Sequence, residues 1–273
     1  LHGVEEAARA AGFPVGVSVL DSPEPAAVQA AIDRSCDPTA GGVIVIAYDL
    51  AGIRALRAIP AGIPVVAALE VTDTQDSKRY PSVTLDDRSA AQNATRHLLD
   101  LGHQTVHYVA IPSSTDADAR MRGWRAALKA AGVKPPVIVP GGWTPASGFE
   151  AGRHLAADPS VTAVLCGNDD LALGLMYAMR EAGREVPTDV SVVGFDDTPQ
   201  SAFYVPPLTT VRLDFVGVGR SCFQLLHNAM SSSVTIAAAL PAPPELIVRA
   251  SAGPPAPAPK RGRRPAATSR PAP

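Results

Sequence analysis

Between residues 15 and 194, short runs of consecutive apolar residues alternate with stretches whose apolar positions recur every three or four residues. The runs are Val15–Leu20, Gly42–Ile46, Ile63–Leu69, Val106–Ile111, Val137–Val139, Ala163–Cys166 and Val190–Gly194. A run without polar alternation suits a strand covered on both faces, as in a parallel sheet. The intervening periodic stretches predict helices at Glu24–Cys36, Leu50–Ala58, Arg88–Leu101, Ala117–Ala131, Ala146–Ala157 and Leu171–Ala182. Gly102, Gly132 and Gly183 each stand where such a helix should stop, the position that favours a left-handed residue.

Strands separated by single helices indicate βαβ units. The polar stretch Thr72–Arg79 divides the pattern into two consecutive sets. The expected fold class is therefore α/β, two doubly wound parallel-sheet lobes with a ligand cleft between them. Ligands of open α/β sheets bind beyond the carboxyl ends of the strands, so two facing sheets would line one cleft from both sides. Closure of such a cleft changes the relative angle of the lobes.

A length of 273 residues accords with two lobes of roughly 100–150 residues each. No apolar run reaches the roughly 18 residues of a membrane span, and the first residues lack a basic-then-apolar signal pattern, so a cytoplasmic protein without membrane contact is expected. Cys36, Cys166 and Cys222 are too few and too far apart for a disulfide framework or a metal site, and read as small buried apolar residues. From Pro254 onward there are five bases and no acids, which leaves 19 bases against 26 acids before it. An acidic body of that kind does not hold DNA through phosphate contacts. Ten of the 27 prolines lie at or beyond Pro241, and residues 253–273 read as a disordered Pro/Arg-rich tail. Its Lys260–Pro265 fragment (KRGRRP) is close to a minor-groove hook but is interrupted by an extra arginine, so a solvated basic tail is the plainer reading.

Signatures of catalysis are missing: there is no nucleophile elbow, phosphate-cradling loop, zinc-helix motif or dinucleotide fingerprint, and no cofactor or metal is expected. His97, His103 and His107 span a helix end and a strand, cannot share one helical face as metal ligands, and suit capping or surface roles. Polar residues do collect at strand ends. Asn168 and Asp170 follow Ala163–Cys166, Asp196 and Asp197 follow Val192–Phe195, and Arg120 opens the helix after Val106–Ile111. Each has a plainer explanation, as helix cap, turn residue or surface base. Together they place a bidentate donor, an amide and a carboxylate at one edge of a lobe, the mixture that hydroxyl-rich ligands need. Trp143, in a Gly-Gly-Trp-Thr loop, adds a flat face that could pack internally or stack on a sugar ring.

At these residues the chain resembles the lac-repressor/galactose-repressor family of transcription regulators. The resemblance covers nearly all of residues 1–252 and is carried by LLDLGH (Leu98–His103), RMRGW (Arg120–Trp124) and AVLCGNDD (Ala163–Asp170). It continues through VPTDVSVVGFDD (Val186–Asp197), PPLTT (Pro206–Thr210) and ELIVRAS (Glu245–Ser251). The resemblance implies a periplasmic-binding-protein-like core with residues 1–84 and 214–242 in one lobe and residues 85–213 and 243–252 in the other. It implies effector contacts from Arg120, Asn168 and Asp196, a stacking wall from Trp143, an acidic contact from Glu70 and an aromatic one from Phe215. Leu213 and Asp116 depart from the pattern, standing where a family member carries a polar contact and a hydroxyl. Asp116 is retained as a contact, and the departures imply a related but different sugar. The expected partners are a small sugar effector, a second copy of the chain, and operator DNA. The DNA would be read through a helix-turn-helix headpiece that this sequence does not contain. The chain starts inside the first sensor helix, and its first core strand is expected to be missing.

Two competing functions remain. A transport-type sugar-binding protein shares the architecture and would be preceded by a secretion signal. An enzyme using Asp196 and Asp197 as an acid–base pair meets the objection that adjacent turn residues rarely straddle one bond.

Overall fold

The computed structural model describes residues 1–20, 22–36, 41–70, 75–112, 119–231 and 239–256. Asp116 and the basic tail from residue 257 lie outside them.

The first half opens with α1 (His2–Ala10) and α2 (Pro25–Ser35), followed by β1 (Val43–Ala47), α3 (Leu50–Ala58) and β2 (Val65–Leu69). A short α4 (Gln75–Arg79) then leads to β3 (Ser82–Val83). Next come α5 (Asp87–Asp100), β4 (His107–Ala110), α6 (Ala119–Ala130), β5 (Val139–Pro140), α7 (Pro145–Ala156) and β6 (Ala163–Cys166). The chain continues through α8 (Asp169–Glu181), β7 (Ser191–Asp196), a 3-10 turn at Pro199–Phe203, β8 (Thr209–Arg212), α9 (Phe215–Met230) and β9 (Glu245–Ile247).

The strands form two sheets, one of order β1-β2-β3 and one of order β5-β4-β6-β7-β8-β9. All pairings are parallel except β8 with β9, which is antiparallel. Both sheets carry helices on two faces, as continuous apolar strands require. In the first, Val66, Ala68 and Val83 pack against Val218, Cys222 and Leu226 of α9. Its other face packs Val45, Ala47 and Leu69 against Leu56 of α3. In the second, Val164, Cys166 and Val192 meet Leu155 of α7 and Leu171, Leu175 and Met179 of α8. The opposite face buries Tyr108, Leu165, Val193 and Phe195 against Leu98 of α5 and Trp124 and Leu128 of α6. Trp124 also donates its Nε1–H to the Val106 carbonyl at 2.8 Å, so the largest core side chain leaves no polar atom unpaired. Leu85 packs against clusters of both sheets.

Several helices follow their strands through a side-chain cap. Asp49 accepts from Gly52 N (2.8 Å), Asp86 from Ser89 N (3.0 Å), Asn168 from Leu171 N (2.7 Å) and Asp214 from Gly217 N (2.7 Å). These caps make the loops beyond the strand carboxyl ends short and fixed. At the opposite helix ends, Gly102, Gly132 and Gly183 adopt φ of 103°, 71° and 72°, which terminates the helices as expected.

Four expectations need correction. Val15–Leu20 forms no strand: β1 is the edge of its sheet, no ladder partner lies beside residues 15–20, and Val17 and Val19 are exposed. The polar stretch after Leu69 includes the helix α4 and is not simply a separator, because Asp76 is buried under a two-bond clamp from Arg57 at 2.9 and 2.8 Å. His103 is neither a cap nor a surface residue. It is buried, with Nδ1 3.0 Å from Thr162 Oγ1 and Nε2 3.0 Å from both Ser191 Oγ and the Gly253 carbonyl, and so ties residue 253 to the second sheet. Cys166 and Cys222 are buried as expected, whereas Cys36 is half-exposed.

Candidate ligand-binding site

The loops beyond the carboxyl ends of both sheets face one cavity of about 110 Å³. Tyr48 follows β1, Leu69 and Glu70 close β2, and Leu85 and Asp87 follow β3. From the second sheet come Ile111 after β4, Arg120 on α6, Trp143 after β5, Asp196 at the end of β7, and Leu213 and Phe215 after β8.

Arg120 is the centre of the polar part. Its Nε donates to Asp87 Oδ2 at 2.9 Å, Nη1 donates to the Gly167 carbonyl, and Nη2 stands 3.5 Å from Asp196 Oδ1. The guanidinium carbon lies 4.1 Å from the centre of the Phe195 ring, so its flat face rests on an aromatic. Burial opposes the charge, but Asp87 and Asp196 outweigh it and raise the pKa of Arg120 above its ordinary value. Asp196 is pushed up to about 7, chiefly by desolvation, with Asp169, Asp87 and Asp170 adding repulsion and Arg120 opposing. Burial raises the Tyr48 phenol as well, with Asp87 the next cause.

Two carboxylate oxygens at this centre, Asp87 Oδ1 and Asp196 Oδ1, are buried without a hydrogen bond. The 3.5 Å approach of Arg120 to Asp196 is an ion pair that lacks hydrogen-bond alignment. Buried acceptors left open in this way cost about 1–3 kcal/mol each and mark a place where a donor belongs.

The turn that presents Asp196 is strained and held from behind. Asp196 and Asp197 adopt φ of 110° and 52°, a region that side-chain-bearing residues rarely enter. Asp197 is gripped by Arg212 Nε at 2.8 Å and Arg249 Nη2 at 2.6 Å. Below the turn, the buried Asp169 accepts from Thr198 N (2.8 Å), Ser201 Oγ (2.5 Å) and Thr210 Oγ1 (2.5 Å). Gly194 makes room for it, since a Cβ there would lie 2.3 Å from Asp169 Oδ1.

Of the residues named from sequence, Arg120, Asp196, Trp143, Glu70 and Phe215 line the cavity together. Asn168 is not among the lining residues: its Oδ1 caps α8 and one N–H of its Nδ2 donates to the Trp143 carbonyl at 3.2 Å. Asp116 lies outside the described residues. Glu70, at the end of the first sheet, accepts from the backbone N of Ala119 at 2.8 Å and so reaches the first residue of α6. Asp87, Tyr48, Leu69, Leu85 and Ile111 were not singled out from sequence. Asp87 stands just before the helix expected at Arg88–Leu101, and β3, the two-residue strand that precedes it, is too short to show as an apolar run.

Comparison with known proteins gives three further findings. Residues 95–252 match the model of the periplasmic binding protein-like domain family. The lactose operon repressor of Escherichia coli (strain K12) is 34% identical over 226 residues, which cover 82% of this chain and 62% of the repressor. The chain thus spans less than two thirds of the length of that relative. Among solved structures, the lac repressor dimer bound to operator and the anti-inducer ONPF superposes with a TM-score of 0.79 at 28% identity, covering 92% of this chain and 87% of that one. A complex of the transcriptional regulator CelR with cellobiose gives 0.79 at 28% identity, over 91% and 76% of the two chains.

Proposed function

The chain belongs to the periplasmic-binding-protein-like family, as a core of the lac-repressor/galactose-repressor kind, and from that premise we propose that it is the sugar-sensing part of a transcription repressor. The observation that carries this reading is the cavity itself. Arg120 sits between two carboxylates, and Asp87 Oδ1 and Asp196 Oδ1, the latter 3.5 Å from Arg120 Nη2, are buried without a hydrogen bond. Sugar hydroxyls supply such donors, and the exposed Trp143 offers a face for the ring.

In this proposal the three-stranded sheet with its helices forms one lobe and the six-stranded sheet the other. A volume of about 110 Å³ is small beside the roughly 300–1,000 Å³ of typical small-molecule sites, so binding requires the lobes to part and re-close. The Glu70–Ala119 bond across the cleft must then be exchanged or re-formed around the guest. The ligand shifts DNA affinity only by its differential affinity for the two lobe arrangements, typically about 1–3 kcal/mol. Operator DNA would be contacted through a headpiece outside these 273 residues.

The second proposed partner is another copy of the chain. Pro145, Ala146, Phe149, Leu173, Gly174 and Tyr177 line an apolar groove on the outer face of α7 and α8, with Leu173 and Tyr177 exposed. An exposed apolar patch of this kind suits a protein interface, and a structural relative is a dimer.

We read the protein as a cytoplasmic regulator without catalytic activity. No helix of the described residues is long and apolar enough to cross a membrane. No group of three or more His, Cys, Asp or Glu among them is placed to hold a metal. The relatives named above are regulators, which favours this reading over a transport-type binding protein. A thermal-shift screen of neutral mono- and disaccharides tests it: at least one should raise the melting temperature in proportion to the logarithm of its concentration. A panel without any binder would remove the proposal.

A further inference from the structure

The charges around the cavity bear on which sugars it can accept, an inference that rests on the sugar-sensing reading. Four described lining residues ionise: Glu70, Asp87, Arg120 and Asp196. The one cation among them is engaged on three sides, by Asp87 Oδ2, the Gly167 carbonyl and Asp196. Asp87 Oδ1 and Asp196 Oδ1 accept no hydrogen bond, the latter being the oxygen that faces Arg120 at 3.5 Å, and so keep acceptor capacity. The other lining residues, Leu69, Leu85, Ile111 and Leu213 among them, bring no positive charge.

We propose that the site selects against anions, so that its effector is a neutral polyol carrying no phosphate or carboxylate, and that Asp87 is the residue chiefly responsible. A hydroxyl donates to Asp87 Oδ1 or Asp196 Oδ1 and completes a buried acceptor. A phosphate or uronate group has no proton to give at pH 7.5, and its charge adds to those of the carboxylates in a site that excludes most water. Arg120 cancels one of the three carboxylate charges, so the lining as a whole keeps a net negative charge. At a separation of about 5 Å and an effective dielectric of about 20, one such repulsion weakens binding by at least about a hundredfold.

Calorimetry on the full chain at pH 7.5 tests the proposal with four ligands: the neutral hexose that binds best, its 6-phosphate, its uronic acid, and its 6-O-methyl ether as a neutral control for bulk. The phosphate and the uronate should bind at least about a hundredfold more weakly than the parent, with the ether much closer to it. In Asp87→Asn, checked for folding by its melting curve, the gap between parent and phosphate should narrow to about tenfold or less. Asp196→Asn provides the same comparison should Asp87→Asn fail to fold. An anionic form binding within tenfold of the parent would overturn the selectivity while leaving the sugar-sensing reading in place. An unchanged gap in both variants would overturn its assignment to these carboxylates. Absence of binding by every neutral saccharide overturns the underlying reading, and the silent neutral arm distinguishes that failure from the others.

Discussion

Replacing Asp196 by asparagine should make the protein more stable and bind its ligand less well. In the folded chain the Asp196 carboxyl is raised from 3.8 to about 7, with desolvation the main cause. A carboxyl raised by folding favours the native state while protonated, so its contribution is fully present below the unfolded value of 3.8 and is lost as pH rises through about 7. A rise of about three units corresponds to an upper bound of about 4 kcal/mol, at about 1.4 kcal/mol per unit. The side chain keeps 22% of its surface exposed, so about half of that bound is a fair expectation. Asparagine preserves the shape, keeps an acceptor for Arg120, and tolerates the positive φ of 110° at this position. At pH 8 the variant should therefore gain about 2 kcal/mol, or about 4–8 °C in melting temperature for a protein of this size. Wild type and variant should converge near pH 4. Ligand affinity should fall by about tenfold, the difference between a charged and a neutral acceptor. Differential scanning calorimetry from pH 4 to pH 8 provides the readout. A variant less stable than wild type at pH 8, or a difference that does not vary with pH, would refute the reasoning.

Three further outcomes follow from the same geometry. His103 is held neutral by burial, its pKa below 6.5, so its contribution is complete above about pH 6.5 and is lost as pH falls through the folded value. His103→Gln should cost about 1–3 kcal/mol at pH 7.5, and its difference from the parent in melting temperature should shrink as pH falls from 7 to 5.5; a difference that does not vary with pH refutes the assignment. Trp143→Ala, at a side chain 42% exposed, should leave the melting temperature nearly unchanged and weaken sugar binding by about tenfold or more in calorimetry, and equal affinity would remove Trp143 from the site. Leu173→Asp, which puts a charge into the apolar groove of α7 and α8, should turn a dimer into a monomer in sedimentation analysis with ligand affinity retained, and a persistent dimer would place the interface elsewhere.

Much of the architecture could be read from periodicity because the strands are buried on both faces and their helices carry clear stops. Ala163–Cys166 and Leu50–Ala58 have the same limits in the sequence and in the structure, and the glycine stops at 102, 132 and 183 hold. Val15–Leu20 shows where that reasoning ends. Its apolar content is that of a strand, but a strand requires a neighbour, and pairing is a property of the whole sheet. Thr209–Arg212 and Glu245–Ile247 were recognised only as motifs, since strands of four and three residues give little periodic signal. In the site, Arg120 and Asp196 were legible because each follows a strong strand. Asp87 was not, as its importance comes from meeting Arg120 across 33 positions of sequence. Asn168 illustrates the opposite case, a polar residue in the right loop that caps α8 and is not among the residues lining the cavity.

The most direct test is a crystal structure of the chain grown with the tightest-binding saccharide from the screen. Density for the sugar should lie between the two sheets, with hydroxyls on Asp87 Oδ1 and Asp196 Oδ1, a ring face against Trp143, and the Arg120–Asp87 pair intact. A sugar bound elsewhere, with those two oxygens still lacking donors, would contradict the account.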